Sequence, residues 1–310
     1  MRMLVLGAGA LGAVFGGRAI ERGLDVTFLV RPRRAEQLAR DGLVVESPAG
    51  DIRRSVATAA VAGPGFDAVL LTAKAYDLDS AIDTIRPAVE AGAAVLPVLN
   101  GLSHMDRLNA AFGRERVWGG MARIVAGMTP DGVVRQTGEL SELVFGEQDG
   151  RMGGRAAVLA AALGRGRGLE AIAVPDILQR MWDKLVIIGT LAGATVLFRA
   201  AIGDIVRAGG RDLALAMLEG NAAVAAANGH AVSADVRPFV ERAFADERSA
   251  AITSLLRDVE RGGPNEADHI LGFLVEGARR AGIPHELQRA ALLHARAQDQ
   301  RRLREAGGLA

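Results

Sequence analysis

The chain of 310 residues contains no cysteine. Disulfides, thiolate-held metals and a cysteine nucleophile are thereby excluded, and the composition suits a reducing compartment. An excess of either charge is also missing. Lys and Arg number 37 against 36 Asp and Glu, which argues against nucleic acid and against a membrane surface as partners. The longest apolar run, residues 185–198, falls short of the ~18 residues a spanning helix needs, and Gly189 and Gly193 interrupt it. No secretory leader precedes the first apolar run at residue 3, so a cytoplasmic location is expected. The five histidines (His104, His230, His269, His285 and His294) show no H-E-x-x-H or similar spacing, so no metal site is expected. His269 reads as a surface pair with Asp268. Neither a G-x-S-x-G elbow nor a G-x-x-x-x-G-K phosphate loop occurs.

What the chain does have is concentrated at its start. Residues 3–6 (MLVL) form an apolar run short enough for a buried strand, and Gly7, Gly9 and Gly12 follow at G-x-G-x-x-G spacing. In that motif the first glycine permits a tight turn, the second lets backbone approach a pyrophosphate, and the third lets helix and strand pack closely. A helix over residues 13–22 would then aim free amides and the positive end of its dipole at the phosphates. The loop residues Gly7, Ala8, Gly9, Ala10, Leu11 and Gly12 are therefore the expected dinucleotide cradle.

Residues 24–30 (LDVTFLV) read as the second strand. Where an NAD site usually carries an acidic residue for the ribose 2′-hydroxyl, this chain has Arg31, Pro32, Arg33 and Arg34. Arg31 leads a basic turn suited to a 2′-phosphate, which favours NADP(H); a solvated turn before a helix at 35–40 is the alternative. Residues 42–57 read as a hairpin around Pro48-Ala49-Gly50, and 66–71 as a buried strand ending near Lys74. Ligands of open α/β sheets sit beyond the carboxyl ends of strands, so Lys74 is either near the cofactor or simply exposed. The strand at 94–99 ends in Asn100-Gly101, where Asn100 could reach nicotinamide or substrate or serve the turn. Runs at 117–124, 132–135 and 143–146 are expected to complete one doubly wound sheet.

From residue 175 strand signals vanish. Helices are expected from 177 to 198, then over 211–228, 235–246, 248–261, 266–281 and 284–306, with residues 307–310 fraying. The expected organisation is a dinucleotide-binding domain over 1–174 and an all-α domain over 175–310. Lys184 lies inside the apolar first helix, where a lysine must snorkel, pair or work.

The pieces GAGALG at the start, TAKAYD around Lys74, VLNGL around Asn100, WDKL around Lys184 and SLLRDVERGGPNEAD over 254–268 resemble the ketopantoate reductase (2-dehydropantoate 2-reductase) family. The resemblance implies a Rossmann domain followed by a helical domain like the C-terminal domain of 6-phosphogluconate dehydrogenase. It also implies NADPH-dependent reduction of a small 2-oxo acid to a 2-hydroxy acid, and with it pantothenate biosynthesis. Lys184 would be the general acid and Glu266 a hydrogen-bond partner of the substrate. Ser254 would help hold its carboxylate, with Asn100 and Lys74 between cofactor and substrate. As bare residues, Glu266 could be a helix-dipole partner and Ser254 a surface serine. The chain departs from the family at Ile188 and Ala192, one and two turns after Lys184, and at Leu271, where asparagines are usual. Apolar groups there remove hydrogen bonds a hydroxylated acid would want. A less polar 2-oxo acid, another carbonyl or imine, and a non-catalytic NADP(H) sensor are the alternatives. A homodimer is the default assembly.

Overall fold

The structure, a computed structural model, describes residues 1–152 and 154–307. Residues 308–310, part of the tail expected to fray, lie outside the described residues. The chain divides into two compact units: Met1–Leu99 with His104–Leu178, and Asn100–Ser103 with the residues from Gln179 onward.

In the first unit, β1 (Arg2–Leu6), α1 (Ala10–Glu21), β2 (Asp25–Leu29), α2 (Pro32–Asp41), β3 (Leu43–Glu46), β4 (Ile52–Arg54) and β5 (Ala57–Ala59) follow in order. Then come β6 (Ala68–Leu71), α3 (Leu78–Glu90) and β7 (Ala94–Pro97). Five strands form a wholly parallel sheet in the order β5-β2-β1-β6-β7. The apolar runs Met3–Val5 and Val69–Leu71 are at most 1% exposed, as expected of strands covered on both faces. β1 lies between β2 and β6, so the chain changes winding direction at its carboxyl end, where a crevice opens and ligands bind in such sheets.

The strands expected to complete that sheet instead build a second one. β8 (Trp118–Met128) and β9 (Val134–Glu147) form a long antiparallel pair, and after α5 (Arg155–Leu163) come β10 (Arg165–Gly166) and β11 (Leu169–Ala173). The second sheet runs β10-β11-β9-β3-β4, with β8 on β9, and the expected hairpin supplies β3 and β4. The two runs read as separate strands at 132–135 and 143–146 are one strand. Its middle escapes an apolar pattern because inward positions hold Gln136 and Ser141, 4% and 3% exposed. Gln136 is satisfied by hydrogen bonds with Ser47 Oγ at 3.1 Å and Gly138 O at 2.6 Å, so its polarity costs little.

α1 packs between the sheets in the core of this unit. Its small residues make the close approach possible: a Cβ at Gly16 would lie 2.6 Å from Phe28 of one sheet, and one at Gly17 2.8 Å from Ile52 of the other.

The second unit is helical: α6 (Ile177–Phe198), α7 (Ile202–Arg207), α8 (Arg211–Ala227), α9 (Val236–Ala243), α10 (Ser254–Glu260), α11 (Phe273–Ala281) and α12 (Glu286–Ala306). Ser103 opens α4 (Ser103–Phe112), whose remainder belongs to the first unit. The helix expected over 248–261 starts only at Ser254, because Thr253 caps it by accepting a hydrogen bond from Leu256 N at 3.3 Å. The helix expected from 266 opens as a π-helical turn, Asp268–Gly272, before α11. By length and composition α6 could cross a membrane, at mean hydropathy 1.5, yet 61% of its apolar window is buried inside the protein. Its glycines carry that packing. A Cβ at Gly189 would lie 2.3 Å from Leu274, and one at Gly193 2.8 Å from Gln288 Oε1.

Candidate active site

The glycine loop leaves β1 as the motif requires. Gly7 turns the chain at φ +93°, and Gly9, extended at φ −79°, starts α1 by accepting from Ala13 N at 2.9 Å. The second and third glycines have distinct jobs. A Cβ on Gly12 would lie 2.1 Å from Gly7 O, so only hydrogen fits beneath the loop, whereas a Cβ on Gly9 would meet nothing within 4 Å and project into open space. The first turn of α1 holds no acidic side chain that would oppose an anion at its amides.

Around this loop lies a cavity of about 650 Å³ lined by Gly7, Ala8, Gly9, Arg31, Arg34, Thr72, Lys74 and Asp77 among others. Ala10, Leu11 and Gly12 are not part of its wall; they form the first turn of α1 behind it. Lys74 is in extended backbone at the end of β6, just before a short 3₁₀ turn at Ala75–Asp77. Thr72, the first residue of TAKAYD, donates to Leu6 O at 2.8 Å, and its Oγ would lie 3.0 Å from a Cβ at Gly12. It ties the end of β6 to the glycine turn.

The basic turn divides its labour. α2 begins at Pro32 rather than at residue 35, because proline's fixed φ suits the first helical position. Arg34 is thereby drawn inward, donating to Ala8 O at 2.8 Å, Gly132 O at 3.0 Å and Gln37 Oε1 at 2.6 Å. Burial lowers the pKa of its guanidinium below the ordinary arginine value. Arg34 braces the loop, while Arg31 stays 80% exposed at the cavity, 3.5 Å from Asp77.

In the second unit α6 presents two faces. Val186, Gly189, Thr190 and Gly193 are buried, while Lys184, Ile187, Ile188 and Leu191 are half-buried. Those four share one side of the helix at spacings of three and four residues. The flanks of Lys184 are firmly held. Trp182 stacks on His230 at 5.6 Å and tilts against Phe273 at 5.8 Å. Asp183 accepts from Ser233 N at 3.0 Å, Ser233 Oγ at 2.6 Å and Gln179 Nε2 at 3.0 Å. Burial lowers the pKa of His230, with Asp183 acting the other way.

Ala192 and Leu271 are buried, at 3% and 0% exposure, and Glu266 is 6% exposed two residues before the π turn. Ser254 is exposed at the start of α10. Its neighbour Thr253 hydrogen-bonds Thr195 Oγ at 2.8 Å, eleven residues and about 16 Å further along α6 than Lys184. Asn100 is half-buried in the short segment that groups with this unit. His269 is not paired with Asp268. Asp268 bridges to Arg296 at 2.6 Å, and His269 turns to Ser103, since consecutive helical residues point to different sides.

Residues 3–150 match the family model for ketopantoate reductase PanE/ApbA, and residues 176–296 match the model for its C-terminal domain. The chain belongs to the ketopantoate reductase family. It is 36% identical over 288 residues to the uncharacterized oxidoreductase YkpB of Bacillus subtilis, covering 91% of this chain and 94% of that one. It is 32% identical over 294 residues to 2-dehydropantoate 2-reductase of Archaeoglobus fulgidus, covering 94% and 95%. The 2-dehydropantoate 2-reductase of Geobacter metallireducens superposes with a TM-score of 0.85 at 29% identity, over 96% of this chain and 99% of that one. A ternary structure of D-mandelate dehydrogenase with NADH and anilino(oxo)acetate superposes at 0.86 over 98% and 100%; at 20% identity that likeness is one of fold. The ketopantoate reductase architecture, a Rossmann-like domain followed by a helical one, is thus the architecture of this chain.

Proposed function

We propose that this ketopantoate reductase family member reduces a small 2-oxo acid with a predominantly apolar side chain to its 2-hydroxy acid, using NADPH. The observation that carries the reading is the partly open face of α6, where Lys184 is followed by Ile187, Ile188 and Leu191. A cation beside an apolar strip suits a substrate with one polar, reacting end and a hydrocarbon remainder.

The first unit fits a dinucleotide. The open space above Gly9, the acid-free start of α1 and the cavity with Arg31 and Lys74 on its wall together suit phosphates and ribose. The bound nicotinamide supplies hydride to the carbonyl carbon. The protein's part is the oxygen, on which negative charge builds. The Lys184 ammonium stabilises that charge and delivers the proton, yielding the hydroxyl. Glu266 accepts a hydrogen bond from the hydroxyl as it forms on the product, Asn100 donates its amide, and Ser254 is the hydroxyl partner of the carboxylate. Ile188, on the partly open face, offers the substrate's side chain no amide partner, which favours hydrocarbon over the hydroxyl of 2-dehydropantoate.

Arg31 carries the preference for NADPH, since no carboxylate stands at the end of β2 to claim a ribose 2′-hydroxyl. In a fluorescence titration Arg31→Ala is expected to weaken NADPH binding by roughly tenfold to a hundredfold, the value of a charge-assisted contact, and to leave NADH nearly unchanged. Equal weakening of both cofactors would remove Arg31 from that role.

A further inference from the structure

His269 stands outside the chemistry just described, yet it meets the Asn100 segment. Its Nδ1 shares a hydrogen bond of 2.5 Å with Ser103 Oγ. Gly101, in the left-handed region at φ +84°, passes so close that a Cβ there would lie 2.8 Å from His269 O and 3.0 Å from its Cδ2. Asn100–Ser103 groups with the second unit although Leu99 and His104, on either side, group with the first.

The turn bearing His269 is itself anchored. Asp268 is bridged by Arg296 at 2.6 Å, and Asn265 Nδ2 donates to both carboxylate oxygens of Asp299 at 3.0 Å, so the stretch that leads into the turn is fixed to α12 at two points. His269 N and Ile270 N both donate to Glu266 O, at 3.1 and 3.0 Å. Glu266 and His269 are therefore held on one short stretch of backbone. The π turn at Asp268–Gly272 inserts an extra residue into the helix, a feature that recurs at functional sites because it re-aims side chains.

We propose that His269 is a positioning residue: it clasps the Asn100–Ser103 segment to the glutamate-bearing turn, so that Asn100 and Glu266 are presented to the substrate as one rigid set. The inference rests on the proposed reductase reading for what Asn100 and Glu266 do, but the clasp has a readout of its own.

The test is hydrogen exchange at Asn100–Ser103 together with steady-state kinetics, in the full chain carrying Ser103→Ala, His269→Ala, both, or His269→Asn. Each alanine variant is expected to speed exchange in the segment by about tenfold, the size expected for one lost hydrogen bond, and to lower kcat by a similar factor with the KM for NADPH held. The double variant should be no worse than either single, because both remove one interaction. His269→Asn, which keeps a polar atom near the position of Nδ1, should restore most of the protection and of kcat. Unchanged exchange, multiplying effects in the double variant, or deprotection spread through the whole second unit would each overturn the clasp. Local deprotection in a protein that reduces no 2-oxo acid would leave the clasp standing and reject the reductase reading instead.

Discussion

Lys184→Ala is expected to lower the turnover of a 2-oxo acid by about a hundredfold to ten-thousandfold, the span a positioned general acid contributes. NADPH binding should hold, because the cavity beside the glycine loop is lined by residues of the first unit alone. The size of the effect follows from the environment. Lys184 is half-buried on a face it shares with Ile187, Ile188 and Leu191, an apolar surround in which a positioned charge counts for more than it does in open water. The helix around it is held by the stacked Trp182 and the three hydrogen bonds accepted by Asp183, so the backbone that carries the ammonium is fixed. Lys184→Arg should not rescue the rate, since a guanidinium keeps its charge but does not release its proton. Single-turnover kinetics with bound NADPH reads the chemical step directly. A variant that keeps full turnover would strip Lys184 of its role.

Two alanine substitutions in the glycine loop should fail in opposite ways. Gly12→Ala places a methyl 2.1 Å from Gly7 O, a backbone atom that cannot rotate away. Overpacking of that kind costs typically about 1–3 kcal/mol, so the melting temperature should fall and NADPH binding with it as the loop shifts. Gly9→Ala adds a methyl with no atom within 4 Å, at a φ of −79° that alanine adopts freely. The free protein should be as stable as before or gain about 0.4–1 kcal/mol through a less flexible unfolded chain. Its affinity for NADPH should nevertheless drop by more than about tenfold, because the methyl occupies the space through which backbone reaches the pyrophosphate. Thermal melts paired with cofactor titration separate the two cases. A Gly9→Ala protein that binds NADPH normally would show that the phosphates lie elsewhere.

How far the sequence discloses this arrangement depends on how local each cause is. The glycine spacing, the apolar runs of β1 and β6 and the helical character beyond residue 175 are written in neighbouring residues, and all appear in the fold. The second sheet is not, because β9 places Gln136 and Ser141 inward and breaks the apolar pattern, and because β10 is only two residues long. In the site, Thr72 reaches Leu6, Arg34 reaches Ala8, and His269 reaches Ser103, across 66, 26 and 166 residues. No local motif encodes partners so distant. The basic turn illustrates the limit well: three arginines read alike in sequence, yet only the helix start at Pro32 decides that Arg34 is tied to the loop at Ala8 while Arg31 stays exposed at the cavity. Leu271 and Ala192 could be read as departures from family asparagines, but that both lie wholly inside the helical unit required the fold.

The most direct test is NADPH oxidation by the purified protein with a graded set of 2-oxo acids, from 2-dehydropantoate through branched aliphatic to phenyl-bearing side chains. The expected result is a kcat/KM that rises with apolarity, by about tenfold to a hundredfold over 2-dehydropantoate, the discrimination that apolar contacts can supply. Ile188→Asn should narrow that gap. NADPH bound tightly but oxidised with none of these acids would contradict the reductase reading and leave a cofactor-binding protein, or one acting on a different carbonyl or imine.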